Sequence, residues 1–434
     1  MEQDCLARAE AAPADNPPAL RIALLGYRSH PHVGGQGIYL KYLSRALQQM
    51  GHQVDVLSGP PYPELDPEIR LVKIPSLDLY ATPNHIRALR WRHLRSFSDL
   101  FEWWSMATGG FAEPYTFGRR VVHYLREHRD EYDVVHDNQS LCYGLLELQQ
   151  LGLTVVATVH HPITRDRDLA VQEATSWGHR LLIRRWYSFL KMQKKVVRQL
   201  NHVVTVSECS RRDIAAEFGR AETRTQVIGN GVDTDLFSPR PDISRVPGRI
   251  ITTTSSDQPL KGFGVLLEAL QQVRAQRPDA HLVVIGKLQP DGRNQRLLKQ
   301  LGLEECVSFR SGISDLELVR EYARASVAVC PSLYEGFGLP AAEAMSCGVP
   351  LVSSDGGALP EVVSDAGILV PAGNATALAE GIAKVLGNRV LAQALMQMGR
   401  QRITREFCWN RVAARLTEYY WREVLPLNRQ AVSA

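Results

Sequence analysis

The sequence predicts an α/β protein of two doubly wound domains, and three observations carry that prediction. At 434 residues the chain is too long for one ordinary hydrophobic core and suits two. Short runs rich in β-branched residues alternate with helical stretches from end to end, as in parallel sheets covered by helices on both faces. These runs fall into two sets, parted by a Pro- and Gly-containing stretch from Phe237 to Gly248.

Residues 1–19 carry Ala, Pro and acidic residues without a basic start or an apolar core, so they read as a flexible tail and not as a signal peptide. The first set of strands reads RIALLGY from Arg21, HQVDVLSG from His52, IRLVKIP from Ile69, DVVHDN from Asp133, TVVATVHH from Thr154 and HVVTVSE from His202. The second reads RIITTTS from Arg249, HLVVIGK from His281, VSFRS from Val307, VAVCPS from Val327, PLVSSD from Pro350 and GILV from Gly367. The expected division is a domain over 20–228, a second over 229–405, and a final segment over 406–434. Its helix, from about Asn410 to Val424, carries Trp409, Tyr419, Tyr420 and Trp421 at its ends and is expected to return to the first domain.

Composition excludes several classes. Lys and Arg number 50 against 46 Asp and Glu, a balance that gives nucleic acid no basic footprint to bind. The seven cysteines are scattered, odd in number and never in a C-x-x-C pair, which argues against a disulfide framework or a zinc site and makes the cytoplasm the default location. No run of about 18 apolar residues occurs, so no membrane span is expected.

The richest segment is VAVCPSLYEGFGLPAAEAMSCGVPLVSSD, residues 327–355. It reads as strand, glycine loop, helix and strand, with Glu335 in the loop and Glu343 one turn into the helix. Pro340 suits the first helical position, where a missing N–H costs nothing. Gly336 and Gly338 let the backbone approach a bound group, and the free amides at the helix start favour an anion. A diphosphate is the natural guest. The two carboxylates accept hydrogen bonds from hydroxyls on either side of it, which describes a sugar nucleotide. Ligands in open α/β sheets sit beyond the carboxyl ends of strands, and Lys261, His160 and Glu335 all follow predicted strand ends, so one cleft between the domains can serve them all. Lys261, after the first strand of the second set, suits phosphate. Gly34, Gly35 and Gly37 form a glycine turn between the first strand and its helix, a phosphate-loop signal that is weak alone.

The segment around Glu335 and Glu343 resembles the Glu-x7-Glu signature of retaining glycosyltransferases of family four, a group with the GT-B fold that includes glycogen synthases and phosphatidylinositol mannosyltransferases. The resemblance extends from Arg21 to about Val424. It implies two Rossmann-like domains facing across a cleft, with the last helix crossing back to the first. It assigns Glu335 to the sugar hydroxyls, Glu343 to the ribose, and the amides of Phe337, Gly338 and Leu339 to the sugar and phosphate end of the donor. Gly34 and Gly35 become backbone donors near the diphosphate. His160 matches a Thr-x-His of the family, placed beside the reacting sugar, with either His161 or the aspartates Asp166 and Asp168 expected on the acceptor side. NGVDTDLF, from Asn230, matches a segment between the domains. Lys261-Gly262 matches a Lys-Gly that stabilises the leaving diphosphate, but Ser255 and Ser256 stand where the family carries an Arg; either Lys287 or Arg293 replaces it, or the stabilisation rests on Lys261 and the loop amides. Front-face transfer with retention follows from the resemblance, and neither a cofactor nor a metal is expected, the nucleotide sugar being a substrate.

The acceptor is a glycan, a lipid or a small metabolite. Residues 84–104 mix Arg87, Arg90, Arg92 and Arg95 with Trp91, Phe97, Phe101, Trp103 and Trp104, and a second such stretch begins at His179. Faces of this kind suit an anionic membrane surface, hence a peripheral location at the inner face of the cell membrane. Two other activities fit the same sequence: hydrolysis or epimerisation of a sugar nucleotide, and non-catalytic binding of one.

Overall fold

A computed structural model describes residues 18–30, 35–81, 84, 89–174, 176–254 and 258–426, with only the backbone of Arg92. Gly34, Arg87, Ser255, Ser256 and residues 1–17 of the expected tail lie outside the described residues.

All twelve anticipated strands form, together with a thirteenth. The first sheet comprises β1 (Arg21–Gly26), β2 (Gln53–Ser58), β3 (Arg70–Lys73), β4 (Val134–Asn138), β5 (Val155–Val159), β6 (His202–Thr205) and the unanticipated β7 (Thr225–Val227). Their order is β3-β2-β1-β4-β5-β6-β7. The pairings of β1 with β2 and β4, of β2 with β3, and of β6 with β7 are parallel. Strands β4, β5 and β6 are buried along their whole length, as strands covered on both faces must be, while β3 at one edge is half-exposed. β7, at the other edge, has only three residues, and its Gln226 faces solvent. A short, polar edge strand carries almost no hydrophobic periodicity, which is why the pattern missed it.

The second sheet comprises β8 (Arg249–Thr253), β9 (His281–Ile285), β10 (Val307–Arg310), β11 (Val327–Cys330), β12 (Leu351–Ser354) and β13 (Ile368–Val370), ordered β10-β9-β8-β11-β12-β13 and parallel throughout. The two-residue repeat of a strand divides its core into two layers. Ile250, Val327 and Val329 join Phe263, Leu266 and Leu270 on one face. Ile251, Ala328 and Cys330 join Tyr322, Ala341 and Met345 on the other. Each fully buried aliphatic side chain of this kind contributes about 1.5–3 kcal/mol of transfer free energy.

Eight helices matter below: α1 (Gly35–Gln49), α2 (Thr164–Glu173), α3 (Trp177–Trp186), α4 (Glu208–Asp213), α5 (Phe263–Gln276), α6 (Leu339–Ser346), α7 (Leu359–Val363) and α8 (Trp409–Tyr419).

Backbone contacts divide the chain into two compact units. The first takes the residues up to Ala157, Arg184–His202 and everything from Ala413 on. The second takes Thr158–Ile183 and Val203–Val412. The last helical residues therefore count with the first unit. There the Leu20 N–H donates to Nδ1 of buried His52 at 3.1 Å, which leaves Nε2 to donate to Thr417 Oγ1 at 2.9 Å. His136 Nδ1 meets the Tyr420 hydroxyl at 2.5 Å, and the Tyr419 ring stands edge-on to His202.

Within the second unit, Val232 bridges to Cys408, and a Cβ on Gly231 would fall 2.3 Å from the Trp409 indole, so glycine is required there by close approach. Asp233 accepts from the amides of Asp235 and Leu236, the turn role that its position suggests.

Candidate active site

The order of the second sheet explains how distant residues meet. From β8 the chain runs outward to β9, and it later returns to β11 on the opposite side of β8, so β8 and β11 flank the point where strand order reverses. The loops leaving these two strands converge at their carboxyl ends, the usual ligand position in such sheets.

After β8, a single 3-10 turn, Pro259–Lys261, ends at Gly262, whose φ of 64° lies in the left-handed region. A Cβ there would sit 2.0 Å from the Pro331 carbonyl oxygen. The Lys-Gly pair thus lets the turn press against the end of β11, and it directs Lys261 Nζ to Glu335 Oε1 at 2.7 Å. Ser332 Oγ donates to the same oxygen at 2.8 Å, and Ser332 is itself buried. The Lys261 and Glu335 side chains are 27% and 11% exposed, so the pair opens to solvent mainly from the lysine side.

Glu335 leads into α6 through Gly338, the N-cap residue, with φ 102° and ψ 47°. Leu339 opens the helix and Pro340 is its second residue, one place later than expected but still among positions whose N–H lacks an intrahelical acceptor. Phe337 is 5% exposed and packs edge-on against Phe407 at 5.5 Å, so its ring belongs to the core and only its backbone is available to a ligand.

Glu343 lies in the fifth position of α6. Burial pushes its carboxyl up to about 8, with the Asp315 carboxylate adding to the effect. Among the described residues it has no salt-bridging cation. Two hydroxyls close to the end of β8, on Thr252 and Thr254, are buried without a hydrogen-bond partner among the described residues. Sequence reasoning passed over them because threonine in a strand is ordinary β-propensity.

His160 follows β5. Burial first, and His161 second, push its imidazole down to about 3, so it is neutral at physiological pH. Its carbonyl accepts from Ser210 Oγ at 2.9 Å. A Cβ on Gly336 would lie 3.3 Å from that carbonyl oxygen and 3.2 Å from His161 Cβ, so the histidine pair and the Glu335 loop are in close contact. His161 Nε2 lies 3.8 Å from Asp166 Oδ2.

Tyr334, the residue before Glu335, is fixed by a group that no sequence motif marks. Its hydroxyl donates to Asp213 Oδ2 at 2.6 Å, Arg165 donates to Asp213 Oδ1 at 2.9 Å, and the Arg165 guanidinium lies over the tyrosine ring at 4.3 Å.

The structure thus brings Lys261, Glu335, His160 and the start of α6 together in the second unit. Gly35 opens α1 in the first unit. Lys287 and Arg293 are exposed and follow β9, the strand beside β8. Asp137 is wholly buried and accepts from Ser140 Oγ and the Leu141 amide, a turn role; Asn138 Nδ2 donates to the Gln36 carbonyl at 3.0 Å. In the first unit, Arg28 pairs with Glu113 at 3.0 Å and lies over the Tyr80 ring at 4.6 Å; burial pushes the Glu113 carboxyl up to about 7, and the Tyr80 hydroxyl is buried without a partner. Among the described residues, no three His, Cys, Asp or Glu side chains are grouped to hold a metal ion.

The chain as a whole is similar to known proteins. Residues 242–402 match the family described as Glycosyl transferases group 1, and residues 33–236 match Glycosyltransferase Family 4. The chain is 46% identical to the MMP alpha-(1->4)-mannosyltransferase of Mycolicibacterium hassiacum over 405 residues, 92% of this chain and 98% of that one. It is 30% identical to the GDP-mannose-dependent alpha-(1-6)-phosphatidylinositol monomannoside mannosyltransferase of Mycolicibacterium smegmatis, over 65% of this chain and 76% of that one. Among solved structures, sucrose-phosphate synthase from Thermosynechococcus elongatus superposes with a TM-score of 0.68 at 26% identity, covering 93% of this chain and 98% of the other. On nearly full-length identity to a mannosyltransferase, two family matches that span most of the chain, and two doubly wound sheets, the chain belongs to glycosyltransferase family 4 and is a two-domain GT-B enzyme that transfers sugar from a nucleotide sugar.

Proposed function

We propose that this enzyme moves mannose from a guanosine diphosphate donor to the 4-hydroxyl of a saccharide acceptor, with retention of the α configuration. The observation that carries the chemistry is the contact between Lys261 and Glu335 at the strand-order reversal of the second sheet. It puts one cation and one carboxylate at the start of α6, where a diphosphate and its sugar would meet. The sugar and the linkage come from the mannosyltransferase relative of M. hassiacum, and the guanine base from the GDP-mannose-dependent relative.

In this reading the diphosphate draws Lys261 toward the first amides of α6 and releases Glu335 to accept from the mannose hydroxyls. Glu343 accepts from the ribose. Neutral His160 can both donate and accept, which suits a sugar hydroxyl next to the reacting carbon. The departing phosphate oxygen takes the acceptor proton, while Lys261 and the amides stabilise the charge that develops. Lys287 or Arg293 supplies the second positive charge on the diphosphate, and Gly34 and Gly35 add backbone donors. The Arg28–Glu113 pair and Tyr80 are the acceptor-side candidates. No metal or other cofactor enters the scheme. The test is purified protein incubated with GDP-mannose, UDP-glucose or ADP-glucose and mannoside acceptors. An α-(1→4)-linked product from GDP-mannose is expected; release of free mannose at the same rate without acceptor would favour hydrolysis, and donor binding without turnover would favour a sensor.

A membrane-surface acceptor is favoured by one observation. Helix α3 has no buried residue, carries Arg180, Arg184 and Arg185, and leaves Trp177 79% exposed beside Leu181 and Leu182. Trp91 is 88% exposed. Among the described residues no helix is long and apolar enough to cross a membrane. Cosedimentation with anionic but not neutral vesicles, lost in Trp177→Ser with Leu181→Ser, tests peripheral binding.

A further inference from the structure

Apart from Asp213 at its end, the short helix α4 lies outside every role considered so far, yet its start reaches both halves of the candidate site. Ser207, its N-cap, accepts from the Ser210 amide at 3.0 Å and donates to the Gly336 carbonyl at 2.8 Å. Ser210 Oγ has one proton to give and two acceptors facing it, the His160 carbonyl at 2.9 Å and the Gly336 carbonyl at 3.2 Å. Both serines are buried, Ser210 completely. The carbonyl groups of His160 and of Gly336 in the Glu335 loop are therefore held by one pair of side chains. Neither contact is local, since 50 and 126 residues separate Ser210 from its two acceptors.

The same helix start is clamped from below. The Glu361 carboxylate receives the amides of Glu208 and Cys209, one on each oxygen, both at 2.7 Å. Short, charge-assisted bonds to the first amides of a helix are strong, and they satisfy donors that the helix cannot. Glu361 belongs to α7, whose approach braces the loop again: the Ala358 amide donates to the Glu335 carbonyl at 2.8 Å, and a Cβ on Gly357 would come within 2.2 Å of that oxygen. The carbonyls of His160, Glu335 and Gly336 are thus fixed by one continuous brace of α4 and α7.

We infer that Ser207, Ser210 and Glu361 are positioning residues, which set the His160 imidazole in register with Glu335 and the start of α6 while touching no substrate themselves. The inference rests on the transferase reading above for its consequence in rate. Reaction rates fall steeply when groups around a reacting carbon shift by an ångström, whereas nucleotide affinity, held by other contacts, does not.

The experiment compares the wild type, the double variant Ser207→Ala with Ser210→Ala, Glu361→Gln, and the conservative Ser210→Thr. Readouts are kcat and KM for GDP-mannose, binding of GDP by calorimetry, and hydrogen exchange of residues 158–164 and 332–339. The double variant and Glu361→Gln are expected to lose roughly ten- to a hundredfold in kcat with GDP affinity within about twofold of the wild type. Exchange should rise in both segments and at the start of α4, whose own amides lose Ser207 or Glu361 as acceptor, and nowhere else; Ser210→Thr, which keeps the hydroxyl, should retain most of the rate. An unchanged kcat in the double variant overturns the inference, and so does a parallel loss of kcat and GDP binding with exchange raised throughout the chain. A wild type that turns over no donor tells against the proposed function instead. In that case exchange decides: a rise that extends from the start of α4 into the two segments and no further upholds the brace, and no rise in the two segments refutes it.

Discussion

Glu343 gives the sharpest prediction, because its carboxyl combines burial, no cationic partner among the described residues and a proposed ribose contact that demands ionisation. Burial, aided by Asp315, pushes it up to about 8, so at pH 7 roughly nine molecules in ten hold it protonated before the donor arrives. Two ribose hydroxyls donate to the carboxylate far better than to the acid, so the bound group should return to the ordinary carboxylate range. Donor binding then expels a proton, and affinity must rise with pH across the window between those two values. With a free value of about 8 and a bound value near 4.5, the apparent Kd tightens about fiftyfold from pH 6 to pH 8, or about 2.3 kcal/mol. The assay is calorimetry with a non-transferable GDP-mannose analogue whose phosphates are both esterified, so that the ligand does not titrate. Repeating it in buffers of different ionisation enthalpy counts the protons, and about 0.9 should leave at pH 7. Glu343→Gln should bind with no such slope and no proton release from this site. Equal slopes and equal proton counts in wild type and variant would refute the assignment of Glu343 to the ribose and the reasoning from its burial.

The remaining predictions follow from neighbouring features. Lys261→Ala should lower kcat on the order of 10²-fold, as removal of one charge-stabilising donor does, and transfer at the wild-type rate would place the diphosphate elsewhere. Glu335→Ala should lose far more turnover than donor affinity, measured by kcat against calorimetric Kd. Gly338→Ala should cost about 2 kcal/mol in denaturant unfolding, because φ is 102° there and the new Cβ would meet Leu359 Cδ2 at 2.7 Å. Burial lowers the pKa of His52, which favours the neutral ring in the folded chain. Its contribution is therefore complete above about pH 6.5 and declines as pH falls through the lowered value, so His52→Gln should flatten that part of the stability curve in thermal melts.

What the sequence disclosed and what it withheld divide along a physical line. Glu335, Glu343, Gly338 and Pro340 were legible because their meaning is local: a glycine at a left-handed turn, a proline where no amide is needed, and carboxylates at fixed spacing along one loop and helix. The twelve longer strands were legible for the same reason, since each carries its own burial pattern. β7 was not, being too short and too polar to have one. The contact of Lys261 with Glu335 depends on strand order, which is set when β11 is laid beside β8 instead of beside β10, and nothing local to either residue records that choice. Phe337 shows that a residue can serve two ends, because its ring packs in the core and leaves only the backbone for the contact expected of it. Ser207, Ser210 and Glu361 lie at the far end of this scale. A serine that caps a helix looks the same whether or not its hydroxyl also reaches a carbonyl more than a hundred residues away, and a glutamate in a five-residue helix looks solvated until another helix start is found against it. A motif can thus nominate the groups of a transferase site, but the brace proposed to hold them in register has to be found in three dimensions. Variants that spare the motif and break the brace separate those two layers of the design.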